Sequence, residues 1–359
     1  VKNDAGCIVV MAPDGSELLR SEENQQVNIV SNSGIMGVCG KKYRGETVVI
    51  PENGRLKIIS IADIDDYICG VLPREVYASW PAETLKAQAI CSRTLVHKSF
   101  RGKHKDLGFD VCTTTNCQVY GGYDSETYAT TEAVYATKGL VALYDGKPAA
   151  PLFCASNGGW KEDSSSVWGG SYPYLVTSRD EYEKTDEIPG HVWSVELSAQ
   201  EVSQKIANAG YDVGQVKKLE IAEASESGRV TLLKVYGENG ECEIKKASAR
   251  SVFGLKSQLY TVASPSSTLS VYVEAATGIC KVAENLNALS TQGGNTVFGT
   301  VSVLSASGQS ALSLDTSYSE NFVFSGRGYG HGVGLSQWGA KYMADADCSY
   351  EQMLKYYYP

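Results

Sequence analysis

The sequence predicts an α+β fold, a mixed core of helices and antiparallel sheet accompanied by a β-rich insertion or second domain. Three observations predict it. Short runs of alternating apolar and polar residues fill the first 60 positions, two helical patterns follow between 65 and 101, and period-two runs with Gly- and Ser-rich turns dominate 191–321. The organisation that follows is a β-rich lead-in at 1–60, a core at 61–190 continued by 322–359, and a β-rich region at 191–321.

Within the lead-in, apolar runs at 7–11, 27–30, 46–50 and 56–61 are separated by the turn signals Pro13-Asp14-Gly15 and Glu52-Asn53-Gly54, a pattern of hairpins. The stretch 65–100 then places a lone glutamate, Glu75, in the bend between two helical patterns. Pro81 opens the second helix, because the N–H that proline lacks would be unpaired in a first turn anyway. From 82 to about 101 that helix has two stripes. Leu85, Ala89, Ser92 and Val96 form a core face of small side chains, and Lys86, Ile90, Arg93 and His97 form a second face. Lys86 and Arg93 point nearly the same way two turns apart, either on a solvated face or beside a cleft at Glu75.

A further helix is expected over 125–137, with Gly139 just past its end. The strand-like 140–144 leads through an Asp145-Gly146 turn to Ser156-Asn157-Gly158-Gly159, and the acidic run 179–187 reads as a loop. In the β-rich region, strands are expected at 230–236, 242–246, 269–273 and 297–304, loops at 263–268 and 291–295, and one helix at 199–209 between Ser198 and Gly210. Near the end, glycines alternate with Arg327, Tyr329 and His331. A nucleotide-binding reading of these glycines fails, since no Gly-Lys-Ser/Thr follows and no room remains for a βαβ unit before Pro359. Alternate glycines suit a backbone running close beside another surface while every second side chain projects into it.

With 359 residues, 43% of them hydrophobic, the chain is long enough for two cores. Its net charge of −9 argues against nucleic-acid binding through a general basic surface, while leaving room for a small basic groove in which Lys86 and Arg93 are the candidates. No apolar run approaches bilayer-spanning length and no secretory leader is present, so a mature secreted form or a chain cut free of an anchor is expected. Among ten cysteines, Cys69 and Cys91 fall in apolar helical patterns and should be buried thiols. Cys112 and Cys117 have four residues between them and His104 lies upstream, which leaves zinc, a local disulfide and free thiols open.

Four separated motifs carry a resemblance: "YICGVLPREV" with "LKAQAICSRT" at 67–94, "CQVY" at 117–120, "SNGG" at 156–159, and "GYGHGVGLSQWGA" at 328–340. Together they resemble the stage II sporulation protein D family, which includes the amidase enhancers of bacterial cell walls. The resemblance implies a lytic transglycosylase that cleaves the bond between N-acetylmuramic acid and N-acetylglucosamine in peptidoglycan with a 1,6-anhydro product, in cell-wall remodelling during sporulation. The family's catalytic glutamate stands eleven residues before the lysine of the "LKAQA" motif, which implies Glu75 ahead of Lys86; Val76 and Tyr77 replace the Met-Pro that usually follows it.

The same resemblance implies substrate contacts from Lys86, Arg93, Gln118, Tyr120, Ser156, Gly158, Gly159, Arg327, His331, Ser336 and Gln337. No cofactor is required by the chemistry. A structural zinc at His104, Cys112 and Cys117 is implied by some relatives, although Asn116 stands where those have a second histidine. The partners implied are peptidoglycan glycan strands and a cell-wall amidase, with no nucleic acid. The location implied is the extracytoplasmic envelope, with the membrane reached only through an anchor outside this chain. Two rival readings are a non-catalytic wall-binding protein that enhances a partner amidase and a zinc hydrolase centred on Cys112 and Cys117.

Overall fold

The computed structural model describes residues 1–100, 102–265 and 321–359, and between 268 and 317 the backbone of four strands. The loop expected at 291–295, positions 266–267 of the loop expected at 263–268, and the helix end expected at 101 lie outside the described residues. The fold is α+β. By contacts the chain divides into two compact units, Val1–Leu152 with Met343–Tyr356, and Phe153–Tyr342 with Tyr357–Pro359.

In the first unit, the alternating runs form antiparallel sheets. One joins Lys2–Asp4, Cys7–Met11 and Glu17–Arg20, and another joins Val27–Ile29, Glu46–Glu52 and Arg55–Ile61. The hairpin between Glu52 and Arg55 closes through Asn53 (φ 50°) and Gly54 (φ 74°), the two left-handed residues that match the twist of paired strands. Three helices follow: α1 (Ile64–Glu75), α2 (Ala82–Leu95) and α3 (Tyr128–Ala136). The Asp63 carboxylate caps α1 by accepting from Asp65 N, and Thr127 and Thr130 form a capping box on α3.

The helices meet over Ile68, Cys69, Leu72, Leu85, Ala89, Ala133 and Val134, all buried, and each large apolar side chain there contributes roughly 1.5–3 kcal/mol. The stripe Leu85, Ala89, Ser92 packs inward as its spacing requires, and Cys69 and Cys91 are buried free thiols. Gly70 has no side chain because the Tyr120 ring occupies that space, tilted against Tyr67 at 5.0 Å and Tyr43 at 5.8 Å.

In the second unit, Phe322–Arg327 runs as the middle strand between Val192–Leu197 and Tyr260–Ala263, antiparallel to both. Beside this sheet lie the three strands Val216–Ala224, Val230–Gly237 and Gly240–Lys245, and the helix Ala199–Asn208, capped by Ser198 and Glu201. Trp193, Val202, Ile206, Leu233, Phe253, Tyr260 and Phe324 form their common core. A short parallel pairing of Phe153–Cys154 with Leu335–Ser336 sets the Ser-Asn-Gly-Gly turn alongside the start of the helix Gln337–Asp345. Four further strands form two antiparallel hairpins, Thr268–Ala275 with Gly278–Asn287 and Thr296–Ser305 with Gly308–Ser317. Among the described residues, no helix is long and apolar enough to cross a membrane.

Candidate active site

Glu75 is half-buried and ends α1, with Val76 as the extended cap residue. This corrects the expectation of a position outside any helix: α1 continues through Pro73 and takes in Glu75 as its last residue. The last turn of a helix leaves backbone carbonyls unpaired and carries partial negative charge. Tyr67 lies within electrostatic reach. Its hydroxyl is buried with no hydrogen-bond partner and is pushed well above the usual phenol range, chiefly by desolvation and in part by the charges of Cys117, Tyr120, Cys112 and Glu75. Past the helix end, the Tyr77 and Trp80 rings pack 5.4 Å apart, with Tyr77 strongly exposed.

The two expected cations behave differently. Lys86 is half-exposed, donates to Glu83 Oε1 at 2.7 Å and lies 5.8 Å from the Tyr350 ring centroid. Arg93, expected beside the substrate, is fully buried and turned inward. Its Nε donates to Asp65 Oδ1 at 2.6 Å, and its other nitrogens donate to the carbonyls of Val134 and Leu140, each at 3.1 Å. Spacing puts Lys86 and Arg93 two turns apart on α2, but α3 and the segment after it cover Arg93, which spacing cannot reveal.

The "CQVY" segment also points inward. Gln118 is buried and donates to the α2 carbonyl of Ser92 at 3.3 Å, and Tyr120 is wedged over Gly70, so both support the loop. Ahead of them, the ligand atoms of His104, Cys112 and Cys117 all lie within 4.8 Å of one another, and His104 Nε2 is 3.3 Å from Cys117 Sγ. Burial would raise the Cys112 thiol, yet hydrogen bonds from Thr114, Cys117 and His104 bring it down to about 6, whereas burial raises Cys117. One nitrogen and two sulfurs at this spacing fit three of the four tetrahedral ligands of zinc. Asn116 supplies no fourth: its side-chain oxygen accepts from Lys103 Nζ at 3.1 Å.

In the second unit, the Ser-Asn-Gly-Gly turn is organised by an acid that sequence reasoning left in a loop. Glu183 accepts from Ser156 Oγ (2.6 Å), Asn157 N (2.8 Å), Gly158 N (2.9 Å) and Thr185 Oγ1 (2.6 Å), and also from Ser336 Oγ. Asp180 accepts from Asn157 Nδ2 at 2.6 Å and from Tyr357 Oη at 2.9 Å. Ser156, Gly158 and Ser336 are thus buried parts of one network; Gly159 (φ 87°) and Gln337 stand at its edges. A second buried cluster joins Glu162, Ser227 and Arg229, whose guanidinium reaches the Asn157 carbonyl. The sequence offered no signal to single Glu183 out, since an acid within an acidic run reads as a solvated loop residue.

Arg327 is half-exposed and lies 3.3 Å from Asp186. His331 accepts from Val333 N through Nδ1 at 3.0 Å and meets the Trp168 ring edge-on at 4.8 Å. Burial, then the Arg250 and Arg229 charges, hold its imidazole down to about 3, so it is neutral.

Comparisons with known proteins accord with these motifs. Residues 52–144 match the family model described as stage II sporulation protein, and residues 171–278 match a domain of unknown function. The chain is similar to an amidase enhancer of Bacillus subtilis (strain 168), 33% identical over 301 residues, covering 81% of this chain and 39% of that protein. It is 28% identical over 319 residues to an uncharacterized protein of Brachyspira hyodysenteriae, covering 89% and 71% of the two chains. Against stage II sporulation protein D of Bacillus subtilis the identity is 22% over 316 residues, covering 82% and 72%. The chain therefore spans about two fifths of the amidase enhancer's length.

Proposed function

Because the chain belongs to the stage II sporulation protein D and amidase-enhancer family, we propose that it is a peptidoglycan lytic transglycosylase of sporulation, with Glu75 as its one acid and base. The observation that carries this reading is the position of Glu75: half-buried at the carbonyl end of α1, inside the segment that matches the family. A general acid must hold its proton at neutral pH, and both partial burial and the helix C-terminus favour the protonated form.

The glutamic acid donates its proton to the glycosidic oxygen as the bond to C1 of N-acetylmuramic acid breaks. As carboxylate it takes the proton of that sugar's own 6-hydroxyl, whose oxygen closes onto C1. The strand is cut without water and the enzyme is returned in its starting protonation state. One carboxyl serves both steps, whereas hydrolytic glycosidases need two. Lys86, half-exposed and one α2 turn from Glu83, is the cation for substrate carboxylates. Arg93 acts only by bracing the helices.

Zinc, where bound, takes His104, Cys112 and Cys117 in a structural role, and the acid–base chemistry does not pass through it. The site of action is the cell envelope outside the membrane. A second reading, a wall-binding protein that stimulates a partner amidase, is favoured by the 33% identity to the amidase enhancer.

Digestion of amidase-treated and intact peptidoglycan by wild type and Glu75→Gln, read by mass spectrometry, separates the two. Anhydromuramyl ends that vanish in Glu75→Gln support the enzyme. Intact glycan with protein bound to it would leave only the amidase-enhancing role.

A further inference from the structure

Beyond the residues discussed so far, the second unit carries an unassigned cluster of rings with cations at its edge. The His191 ring lies 5.9 Å from that of Tyr329 and 6.1 Å from that of Trp338, and Trp338 lies 6.1 Å from Tyr342. Tyr329 is 48% exposed, and Trp338 and Tyr342 are half-exposed. Burial lowers the His191 pKa, which keeps its ring uncharged. The two ammonium groups of Lys184 and Lys341 both gather at Tyr342, 5.7 Å and 5.0 Å from the ring centroid. Lys184 has in addition a long, exposed contact of 3.7 Å to Glu187, which costs little to exchange.

An exposed tyrosine continuous with three further rings is a surface that water solvates poorly and that the apolar face of a pyranose covers well. Two ammonium groups beside one ring present positive charge to an anionic ligand stacked next to it. We infer that Tyr329, Trp338 and Tyr342 form a sugar-stacking shelf, and that Lys184 and Lys341 select glycans whose sugars carry a carboxylate. The ligand class is a strand of N-acetylated amino sugars bearing lactyl carboxylates. This rests on the proposed action on peptidoglycan and adds to it a subsite that discriminates by charge. Alternate glycines explain how the shelf is exposed: with no side chain at 328 or 330, Tyr329 is left as the projecting group on that segment, and Gly328 fits against the Gly158 backbone where a Cβ would lie 2.9 Å from its nitrogen.

The test is binding by the full chain in a Glu75→Gln background, so that turnover does not enter. The probes are amidase-treated glycan strands, which keep the lactyl carboxylate, and chitohexaose, which has none. Tyr329→Ala should weaken both by about tenfold and Tyr329→Phe neither, since the ring carries the contact. Lys184→Gln combined with Lys341→Gln should weaken the glycan strands alone, about fivefold, and should flatten the salt dependence of their binding. Unchanged thermal midpoints confirm that the variants are folded. Wild-type affinity for both probes in Tyr329→Ala overturns the shelf. Equal loss for both probes in the lysine variant overturns the charge selection. Either result can occur while wild type still yields anhydromuramyl ends, so failure here is distinct from failure of the lytic reading.

Discussion

Arg93 and Asp65 meet at 2.6 Å with both side chains closed to solvent, so the guanidinium in the last turn of α2 is tied to the first turn of α1. Its two further bonds go to carbonyls of α3 and the segment after it, and one side chain therefore fixes three helices. Because α1 ends in Glu75, the pair also sets where that carboxyl stands.

Removing one member of a buried pair strands the other charge. Arg93→Ala should therefore lower the unfolding free energy by about 3–5 kcal/mol in a denaturant titration. Arg93→Lys should recover only part, because an ammonium can meet Asp65 but not both carbonyls in the planar fork geometry. A wild-type midpoint for Arg93→Ala would show that the pair does not brace the helices.

Glu183 holds the second unit's turn by accepting from three hydroxyls and two backbone N–H groups. An amide at that position must present N–H₂ where donors already point. Glu183→Gln should cost about 2–4 kcal/mol, more than an ordinary neutral hydrogen bond, because charge-assisted bonds are lost and one donor is left facing another. Hydrogen exchange should localise the loosening to 156–159 and the start of the helix Gln337–Asp345. Unaltered exchange there would overturn this role.

The parts of this fold that were legible in the sequence are those governed by local rules. The helix cap at Ser198, the Asn53-Gly54 hairpin turn and the Leu85-Ala89-Ser92 stripe all follow from spacing and residue type, whereas the helix expected from 125 starts only at Tyr128, behind its Thr127 cap. The fate of Arg93 was not legible, since burial of a helix face depends on α3, a segment 35 residues on from Arg93 to Tyr128. Glu183 was missed for the same reason: a carboxylate in an acidic run looks solvated until distant donors such as Ser336 are folded onto it. Ser156, Gly158 and Ser336 were singled out by motif, and the structure gives a physical reason for their residue types in that single shared acceptor.

Cys112 and Cys117 should differ in reactivity. With the Cys112 thiol at about 6 and Cys117 raised, iodoacetamide should modify Cys112 first near pH 7, while buried Cys69, pushed up to about 11, stays unmodified in the folded protein. Added zinc should protect both members of the pair, since it binds thiolates, and protection should be lost in His104→Ala. Equal modification of Cys112 with and without zinc would argue that the three side chains do not hold the ion.

His331 gives a pH dependence whose sign is fixed by its surroundings. Unfolded, it titrates near the ordinary value of 6.5; folded, burial and the Arg250 and Arg229 guanidiniums hold it at about 3, and its Nδ1 must stay unprotonated to accept from Val333 N. Between those two values the unfolded chain binds a proton that the folded chain does not, so this contribution to stability is complete above 6.5 and is lost as the pH falls toward 3. A glutamine at 331 can accept the same backbone bond and cannot titrate. The stability advantage of wild type over His331→Gln, measured by denaturant unfolding, should therefore shrink between about pH 7.5 and about pH 4.5. An advantage of equal size at both values would mean that the imidazole is charged in the folded protein, and that the two arginines do not face it as described.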